Sequence, residues 1–190
     1  MPTTADTRSR LLAAARQAFA DLGYGRARVE DIVARAGVGH GTFYAYFKNK
    51  RAALAALISE NAATLVDLAG QPWRPGDVRA GLVEVLGGLS DLYDRDADLI
   101  ALWTEASIQD PELGRVLDEV RRQFVGRIAR NIEHAAGLGV TRPVDALTAA
   151  TALAAMAEQT MYLRAVRKEP LDRDLTVETL ADLWLHALYR

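Results

Sequence analysis

The sequence predicts an all-α protein, and three features of its 190 residues support this fold class. Alanine and leucine dominate, apolar residues recur at helical spacing, and the period-2 alternation of β-branched residues that marks strands is absent. Half of the residues are hydrophobic and a quarter are charged, which is typical of a globular chain. We therefore expect helices along the whole chain, joined by turns rich in glycine, proline and aspartate.

Each predicted helix boundary coincides with a helix-breaking or capping residue. In order, the predicted helices cover residues 7–22, 29–36, a short stretch from 39 or 40, 50–68, 77–93, 96–108, 112–136, 143–166 and 174–189. Gly23 and Gly37 end the first two helices, and Asn49 is suited to cap the fourth. The segment GQPWRPGD, residues 70–77, is the first clear linker, and later boundaries fall at DRD, QDP, GLGVTRP and KEPLDRD.

Charge divides the chain into a basic head and an acidic body. Residues 1–51 hold nine Lys/Arg and four Asp/Glu, a net charge of +5, whereas residues 52–190 hold fourteen and twenty-one, a net charge of −7. A basic head indicates an anionic partner, although charge alone is weak evidence for one. We expect two domains with these bounds.

Several functional classes find no support in the sequence. The chain has no cysteine, which removes disulfides, thiolate metal sites and cysteine nucleophiles. The GVGHG stretch follows a predicted helix, whereas the glycine-rich loop of a dinucleotide-binding site follows a strand. The hydrolase motif G-x-S-x-G and the metalloprotease motif H-E-x-x-H do not occur. We expect no secretory signal at the N-terminus, and the apolar stretch 146–157 is too short to span a membrane. We expect a cytoplasmic protein that is not an enzyme and needs no cofactor, metal or membrane.

The segment VGHGTFYAYFKNK, residues 38–50, predicts a helix with two contrasting faces. At about 100° per residue, Phe43, Tyr46 and Phe47 share an aromatic face, which we expect to lie in the core. The opposite face carries only small or hydrogen-bonding residues: His40, Gly41, Thr42, Tyr44 and Ala45. With the preceding helix and the tight AGVG turn, this is a helix-turn-helix arrangement, whose later helix enters the major groove of DNA.

Residue types alone leave two interpretations of this surface open. His40 and Tyr44 either hydrogen-bond at base edges and phosphates or simply face solvent. Lys48 and Lys50 either contact phosphate at the start of the fourth helix or form a solvated helix end.

Residues 7–54 resemble the N-terminal domain of the TetR family of transcriptional regulators. After a first helix that ends FADLGY, the run VEDIVARAGVGHGTFYAYFKNKRAAL follows the family pattern of Asp-Ile-Ala, Ala-Gly-Val, Gly-Thr-aromatic-Tyr, Tyr-Phe, Lys and Leu. The resemblance implies that Phe43 and Phe47 hold the third helix in a three-helix core. It implies that five residues of this helix face the DNA: His40, Gly41, Thr42, Tyr44 and Ala45. It also implies that Tyr46 and Lys50 occupy positions that commonly contact the phosphate backbone.

One position departs from the family pattern. Members often carry a threonine pair before the second helix, whose hydroxyl caps that helix and touches phosphate, whereas this chain has Ala27 and Arg28. Arg28 cannot cap as threonine does, so the helix start loses about 1 kcal/mol. We predict that Arg28 instead places its charge on the DNA backbone beside Arg26.

The acidic body resembles the family in architecture and carries no strong motif. Helix 143–166 is apolar on two sides, so both sides must pack against other helices. Helix 174–189 places Leu180, Trp184 and Leu188 on one face. In TetR-like proteins the last two long helices pair with their copies as a four-helix bundle. We therefore expect a homodimer through these helices, which reads a palindromic operator.

The resemblance also implies a small, often apolar effector that binds among the middle helices. Its binding changes the distance between the two recognition helices of the dimer. Our candidate contacts are Tyr93, Trp103, Phe124, Asn131, Met156, Glu158 and Gln159. For any one large side chain, core filling is the favoured explanation, and Glu158 and Gln159 are equally explained as interface groups. The predicted function is a ligand-responsive repressor; the alternative is a dimeric DNA-binding regulator with no small-molecule inducer.

Overall fold

The computed structural model describes residues 4–71 and 77–189, and these residues are predominantly helical. The helices are α1 (Thr4–Leu22), α2 (Val29–Ala36), α3 (His40–Tyr46), α4 (Lys50–Ala69), α5 (Val78–Arg95), α6 (Ala97–Gln109), α7 (Pro111–Gly137), α8 (Ala146–Ala165) and α9 (Arg173–Leu188). The all-α class is confirmed, and the predicted helices are present with ends shifted by a few residues. The predicted linker lies largely outside the described residues, which omit 72–76.

Short polar side chains set where several helices begin. Asn49 Oδ1 accepts a hydrogen bond from the amide of Ala52 at 2.9 Å, which confirms the predicted cap of α4. Asp77, Asp145 and Asp172 accept in the same way at the starts of α5, α8 and α9. Each cap satisfies an amide that has no partner within its helix, and a carboxylate also interacts favourably with the helix dipole. These helix starts are therefore encoded locally.

The chain packs as two compact units. The first unit combines residues up to Ala62 with Asp98–Asp118, and the second combines Ala63–Ala97 with the residues from Glu119 onward. Residues 98–118 thus pack with the head, although sequence analysis assigned them to the acidic body. The functional boundary at residue 51 stays a prediction, because packing units and functional domains need not coincide.

The first unit has a core of side chains from its N-terminal helices. The side chains of Leu11, Phe19, Ile32, Phe43 and Leu54 are fully buried there. Phe47 is also buried, and its ring centroid lies 5.7 Å from that of Phe43. The two phenylalanines that were predicted to hold α3 therefore do so, whereas Tyr46 is half-buried.

Carboxylates at both ends of α6 tie this helix to the N-terminal helices. At its start, Asp98 Oδ2 accepts from Arg16 Nε at 2.9 Å, and this hydrogen bond lowers the pKa of Asp98. Just after its end, Asp110 accepts from the Tyr24 hydroxyl and from Arg51, both at 3.3 Å. Burial, assisted by the charge of Asp110, raises the pKa of Tyr24 to about 12. These contacts explain why α6 belongs to the first unit.

The second unit is built on the packing of α5 against α8 and α9. Its core holds Leu82 and Leu86 from α5, Ala157 and Met161 from α8, and Trp184 from α9. The alanines of α8 are small enough to let neighbouring helices approach closely.

A largely buried arginine side chain and a glycine also shape the second unit. Arg164 of α8 donates to the Ser90 hydroxyl at 2.8 Å and pairs with Asp94 at 2.9 Å, which joins α8 to α5. A methyl group at Gly88 would lie only 2.8 Å from Leu68 Cδ2. A larger residue at this position of α5 would therefore require the Leu68 side chain of α4 to move.

One described helix, α4, is long and apolar enough by length and composition to cross a membrane. This helix is not the apolar stretch 146–157 considered from the sequence, which lies in α8. The apolar side chains of α4 at Ala53, Leu54 and Ile58 are fully buried in the protein. A helix that is buried in a protein core is apolar for this reason, so burial accounts for the apolar composition of α4 without a membrane.

Candidate nucleic-acid interface

The turn between α2 and α3 is held by backbone hydrogen bonds that need a glycine. Gly37 has φ 63°, in the left-handed region that side chains with a Cβ rarely adopt. The Val38 amide donates to the carbonyl of Val33 at 3.2 Å, and Arg10 donates to the carbonyl of Ala36 at 2.6 Å. The end of α2 is therefore capped both by its own backbone and by α1, which fixes the direction in which α3 leaves.

The five predicted DNA-facing residues form one surface, which we call the α3 face: His40, Gly41, Thr42, Tyr44 and Ala45. All are exposed except Thr42, which is half-buried. The Tyr44 side chain is 56% exposed, and its ring meets that of Phe43 edge-on at a centroid distance of 5.5 Å. Because Phe43 is fully buried, the exposed ring rests on a fixed support.

Arg28 begins α2 without capping it. Its backbone is extended, with φ −118° and ψ 164°, and its side chain makes no capping hydrogen bond. A guanidinium has no acceptor, and Asp31 Oδ2 instead accepts from the Arg28 amide at 2.8 Å. The expectation that Arg28 does not replace a threonine cap is confirmed. Its exposed side chain lies in the loop with Arg26, which is also exposed.

The predicted cations after α3 have different surroundings. Lys48 is exposed, whereas the Lys50 ammonium donates to the carbonyls of Tyr24, Gly25 and Ala27 at 2.7, 3.1 and 2.8 Å. An ammonium has three donors, so these carbonyls occupy all of them. A contact between Lys50 and phosphate stays a prediction, and it would require the release of a carbonyl.

Lys50 therefore has a structural role that sequence reasoning missed. Its nitrogen also lies 4.8 Å from the centroid of the Tyr24 ring, and burial lowers the pKa of its ammonium. By holding the loop between α1 and α2, Lys50 positions the neighbouring residues Arg26 and Arg28. The signal was not available locally, because the lysine and the carbonyls it binds are more than twenty residues apart.

The predicted effector contacts fall into both units. Trp103 is buried in the first unit, and the other six belong to the second. Phe124 lines a small apolar cavity with Leu65, Leu86 and Trp184. Its volume of about 10 Å³ is close to the space that one water molecule needs.

The other candidate contacts differ in burial and in hydrogen bonding. Met156 is half-buried and Gln159 is exposed. Asn131 donates to the carbonyls of Ala69 and Gln71 at 3.1 and 3.0 Å, so its amide closes the end of α4. This role explains a polar residue on α7 without an effector.

Two of the predicted residues meet in a polar cluster with an arginine that sequence analysis did not name. Glu158 of α8 pairs with Arg121 of α7 at 3.3 Å, and the charges of both residues act on the buried Tyr93 of α5. Burial raises the pKa of Glu158 against the opposing effect of Arg121. Burial also raises the pKa of Tyr93, and the charge of Glu158 adds to that shift. The neighbouring Arg122 pairs with Glu119 on the same helix instead, so only the fold distinguishes the two arginines.

Comparison with known proteins assigns both parts of the chain. The family model described as bacterial regulatory proteins, tetR family, matches residues 11–57. The model for the C-terminal domain of the transcriptional regulator EthR matches residues 83–190, more than half of the chain. EthR of Mycolicibacterium smegmatis is 25% identical over 193 residues, which cover 99% of this chain and 88% of EthR. The uncharacterized HTH-type regulator Rv2250c of Mycobacterium tuberculosis is 29% identical over 189 residues, which cover 97% of this chain and 93% of that protein.

The fold also matches that of a solved repressor. SmeT, the repressor of the Stenotrophomonas maltophilia multidrug efflux pump SmeDEF, superposes with a TM-score of 0.78 and 26% identity. The match covers 96% of this chain and 90% of SmeT. A complex of SmeT with triclosan superposes with a TM-score of 0.79 and 27% identity.

Gly41→Ala tests whether DNA approaches the α3 face closely. A methyl group at Gly41 would meet nothing within 4 Å, and its φ lies outside the left-handed region, so the free protein does not require glycine there. We expect the substitution to stabilise the protein by about 0.4–1 kcal/mol in thermal unfolding, yet to weaken DNA binding in an anisotropy titration.

Gly87→Ala is the matched control for that experiment. Gly87 lies inside α5 and also has open space around it, but it is not on the α3 face. It should stabilise the protein to a similar degree and leave DNA affinity unchanged. Wild-type DNA affinity in Gly41→Ala would contradict a close approach at this position.

Proposed function

The chain belongs to the TetR family of transcriptional regulators, and we propose that it is a ligand-responsive repressor that binds a palindromic operator as a homodimer. The observation that carries this proposal is the α3 face, a surface of small and hydrogen-bonding residues on a buried phenylalanine support. Regulators of the family bind DNA operators, dimerise and bind small effectors. We place its action in the cytoplasm, in keeping with its bacterial relatives.

The charge and size of the interface support DNA binding. A major groove about 12 Å wide admits a helix such as α3, and the α3 face presents its side chains to base edges. Arg26, Arg28 and Lys48 are exposed around α3 and carry positive charge toward the phosphates. Tyr46 and Lys50 would complete the backbone contacts, with Lys50 acting largely through the loop that it holds.

Exposed apolar side chains on α8 and α9 support a homodimer. Leu147 of α8 and Leu175 and Leu183 of α9 are each at least half exposed. Large apolar side chains on the last two helices need cover, and a second copy of the same surface supplies it with two-fold symmetry. Two recognition helices would then read half-sites about 34–36 Å apart.

The effector is proposed to be small and largely apolar. Triclosan bound to SmeT, a regulator of similar fold and 27% identity, supports this class of ligand. The cluster of Tyr93, Arg121 and Glu158 supplies polar anchors beside the apolar side chains of α5, α7 and α8. An effector that binds there and favours one spacing of the recognition helices would release the operator.

Selection of bound sequences from random DNA tests the operator and the dimer together. We expect a palindromic consensus and, in light scattering, twice the monomer mass at micromolar concentration.

Leu175→Glu tests the proposed dimer interface, at a residue that is 67% exposed. The substitution should shift the protein toward monomer and reduce operator affinity at least tenfold, because it would desolvate a carboxylate in the dimer interface. Ile108→Glu is the matched control, since Ile108 is 82% exposed but lies outside α8 and α9. A monomeric wild-type protein or the enrichment of no sequence would contradict the proposal.

Arg28→Ala tests the predicted phosphate contact. Loss of one contact should weaken binding to all sequences and reduce the slope of log affinity against log salt by about one unit. Arg28→Lys should largely retain the slope. Arg122→Ala, on the exposed surface of α7, should leave both slope and affinity unchanged. An unchanged slope in Arg28→Ala would remove this residue from the interface.

A panel of apolar compounds in thermal unfolding tests the effector. A compound at one hundred times its dissociation constant stabilises the folded protein by about 2.7 kcal/mol, and it should also release the selected operator. A stabilising compound that does not affect DNA binding would count against an inducer role. No shift across a broad panel would favour the inducer-free regulator.

A further inference from the structure

We propose that the α3 face reads its operator chiefly through thymine methyl groups, with Thr42 and Ala45 as the contacting residues and Tyr44 beside them. This inference rests on the proposed DNA binding and extends it to the kind of base that is recognised. It begins from the composition of the segment GHGTFYAY, residues 39–46, which contains no Lys, Arg, Asn, Gln, Asp or Glu.

That composition removes the side chains that read the other bases best. Arginine or lysine reads guanine through O6 and N7, asparagine or glutamine reads adenine through N6 and N7, and a carboxylate accepts from cytosine N4. None of these groups is present on α3. His40 can make a hydrogen bond, but it has no bidentate pattern of this kind. The remaining distinctive feature of the major groove is the thymine methyl, which alanine and the threonine methyl contact directly.

The nearby cations do not supply the missing readers. Arg10 donates to the carbonyl of Ala36, and Arg35 pairs with Asp21 at 3.1 Å. Lys50 is bound by three carbonyls in the loop before α2. Arg28 and Lys48 lie at the start of α2 and after the end of α3, where they suit phosphates rather than base edges.

The geometry of α3 suits contacts by short side chains. A methyl group reaches a thymine methyl only if the helix backbone comes close to the bases. Methyl groups at Gly39 and Gly41 would meet nothing within 4 Å, so both glycines leave room in front of the helix. Ala45 lies one turn after Gly41 and is exposed, and the half-buried Thr42 adds its methyl beside them. Tyr44 extends the apolar surface, with its ring held edge-on by Phe43.

Replacing thymine by deoxyuridine in the selected operator tests this inference with the wild-type protein. Deoxyuridine keeps the pairing edge and O4 of thymine and lacks only the methyl group. We expect an affinity loss of about fourfold at each contacted thymine, the value of one buried methyl group, and no loss at thymines outside the half-sites. Replacement of half-site guanines by 7-deazaguanine, which lacks the N7 acceptor, should have a smaller effect.

Two variants that each remove one group of the threonine side chain assign one of these methyl contacts to Thr42. Thr42→Ser keeps the hydroxyl and loses the methyl, so it should bind thymine and deoxyuridine equally at one position of each half-site. Thr42→Val keeps the methyl and loses the hydroxyl, so it should retain the fourfold preference. Ala45→Gly should abolish the preference at a second position. Thermal unfolding of each variant checks that it is folded.

The outcomes separate this inference from the proposed function. Enrichment of no DNA sequence would contradict the proposed function itself. A palindromic consensus with no deoxyuridine penalty, or with a large 7-deazaguanine penalty, would leave the proposed function standing and overturn the methyl readout. A preference lost in Thr42→Val and kept in Thr42→Ser would assign recognition to the hydroxyl and would also overturn it.

Discussion

The burial of Phe43 fixes the direction of each exposed side chain on α3. This helix has seven residues, too few to be stable in isolation, so it depends on the core against which it packs. Phe43 and Phe47 supply that packing, and loss of one such ring from a core typically costs about 3–5 kcal/mol. A natural domain is stable by only about 5–15 kcal/mol in total. The surface proposed to read DNA and the stability of the first unit therefore share the same residues.

Groups distant in sequence hold the remaining parts of that surface. Lys50 gathers the carbonyls of the loop before α2, and Arg10 caps the end of α2 from α1. Asp98 and Asp110 join α6 to the same helices through Arg16, Tyr24 and Arg51. Charge-assisted hydrogen bonds of this kind are stronger than neutral ones and restrict loops that have little apolar surface of their own. The exposed cations Arg26 and Arg28 are consequently displayed from a loop of defined shape.

The α3 face also shows a conflict between folding and recognition. Glycines and an exposed tyrosine do not favour a stable helix, and the structure offers no internal reason for Gly41. The proposed close approach of DNA supplies a reason, because a helix without protruding side chains can come near the base edges. In the proposed thymine-methyl readout, the same short side chains let a helix without Arg, Lys, Asn or Gln distinguish bases. Sites where local preferences fail are expected to be functional sites, and α3 fits that expectation.

The sequence by itself determined the features that depend on neighbouring residues. Helical periodicity predicted the helices, Asn49 predicted the start of α4, and the angular positions of Phe43 and Phe47 predicted the buried face of α3. These features are local because a helix relates residues only three or four positions apart. Only the tertiary structure decided the rest: α6 packs with the head, Lys50 binds loop carbonyls, Asn131 closes the end of α4, and Arg121 rather than Arg122 meets Glu158. In each case the partners are far apart in the chain. Several side chains of the same chemistry are available, and the packing of the helices decides which of them comes within hydrogen-bonding distance.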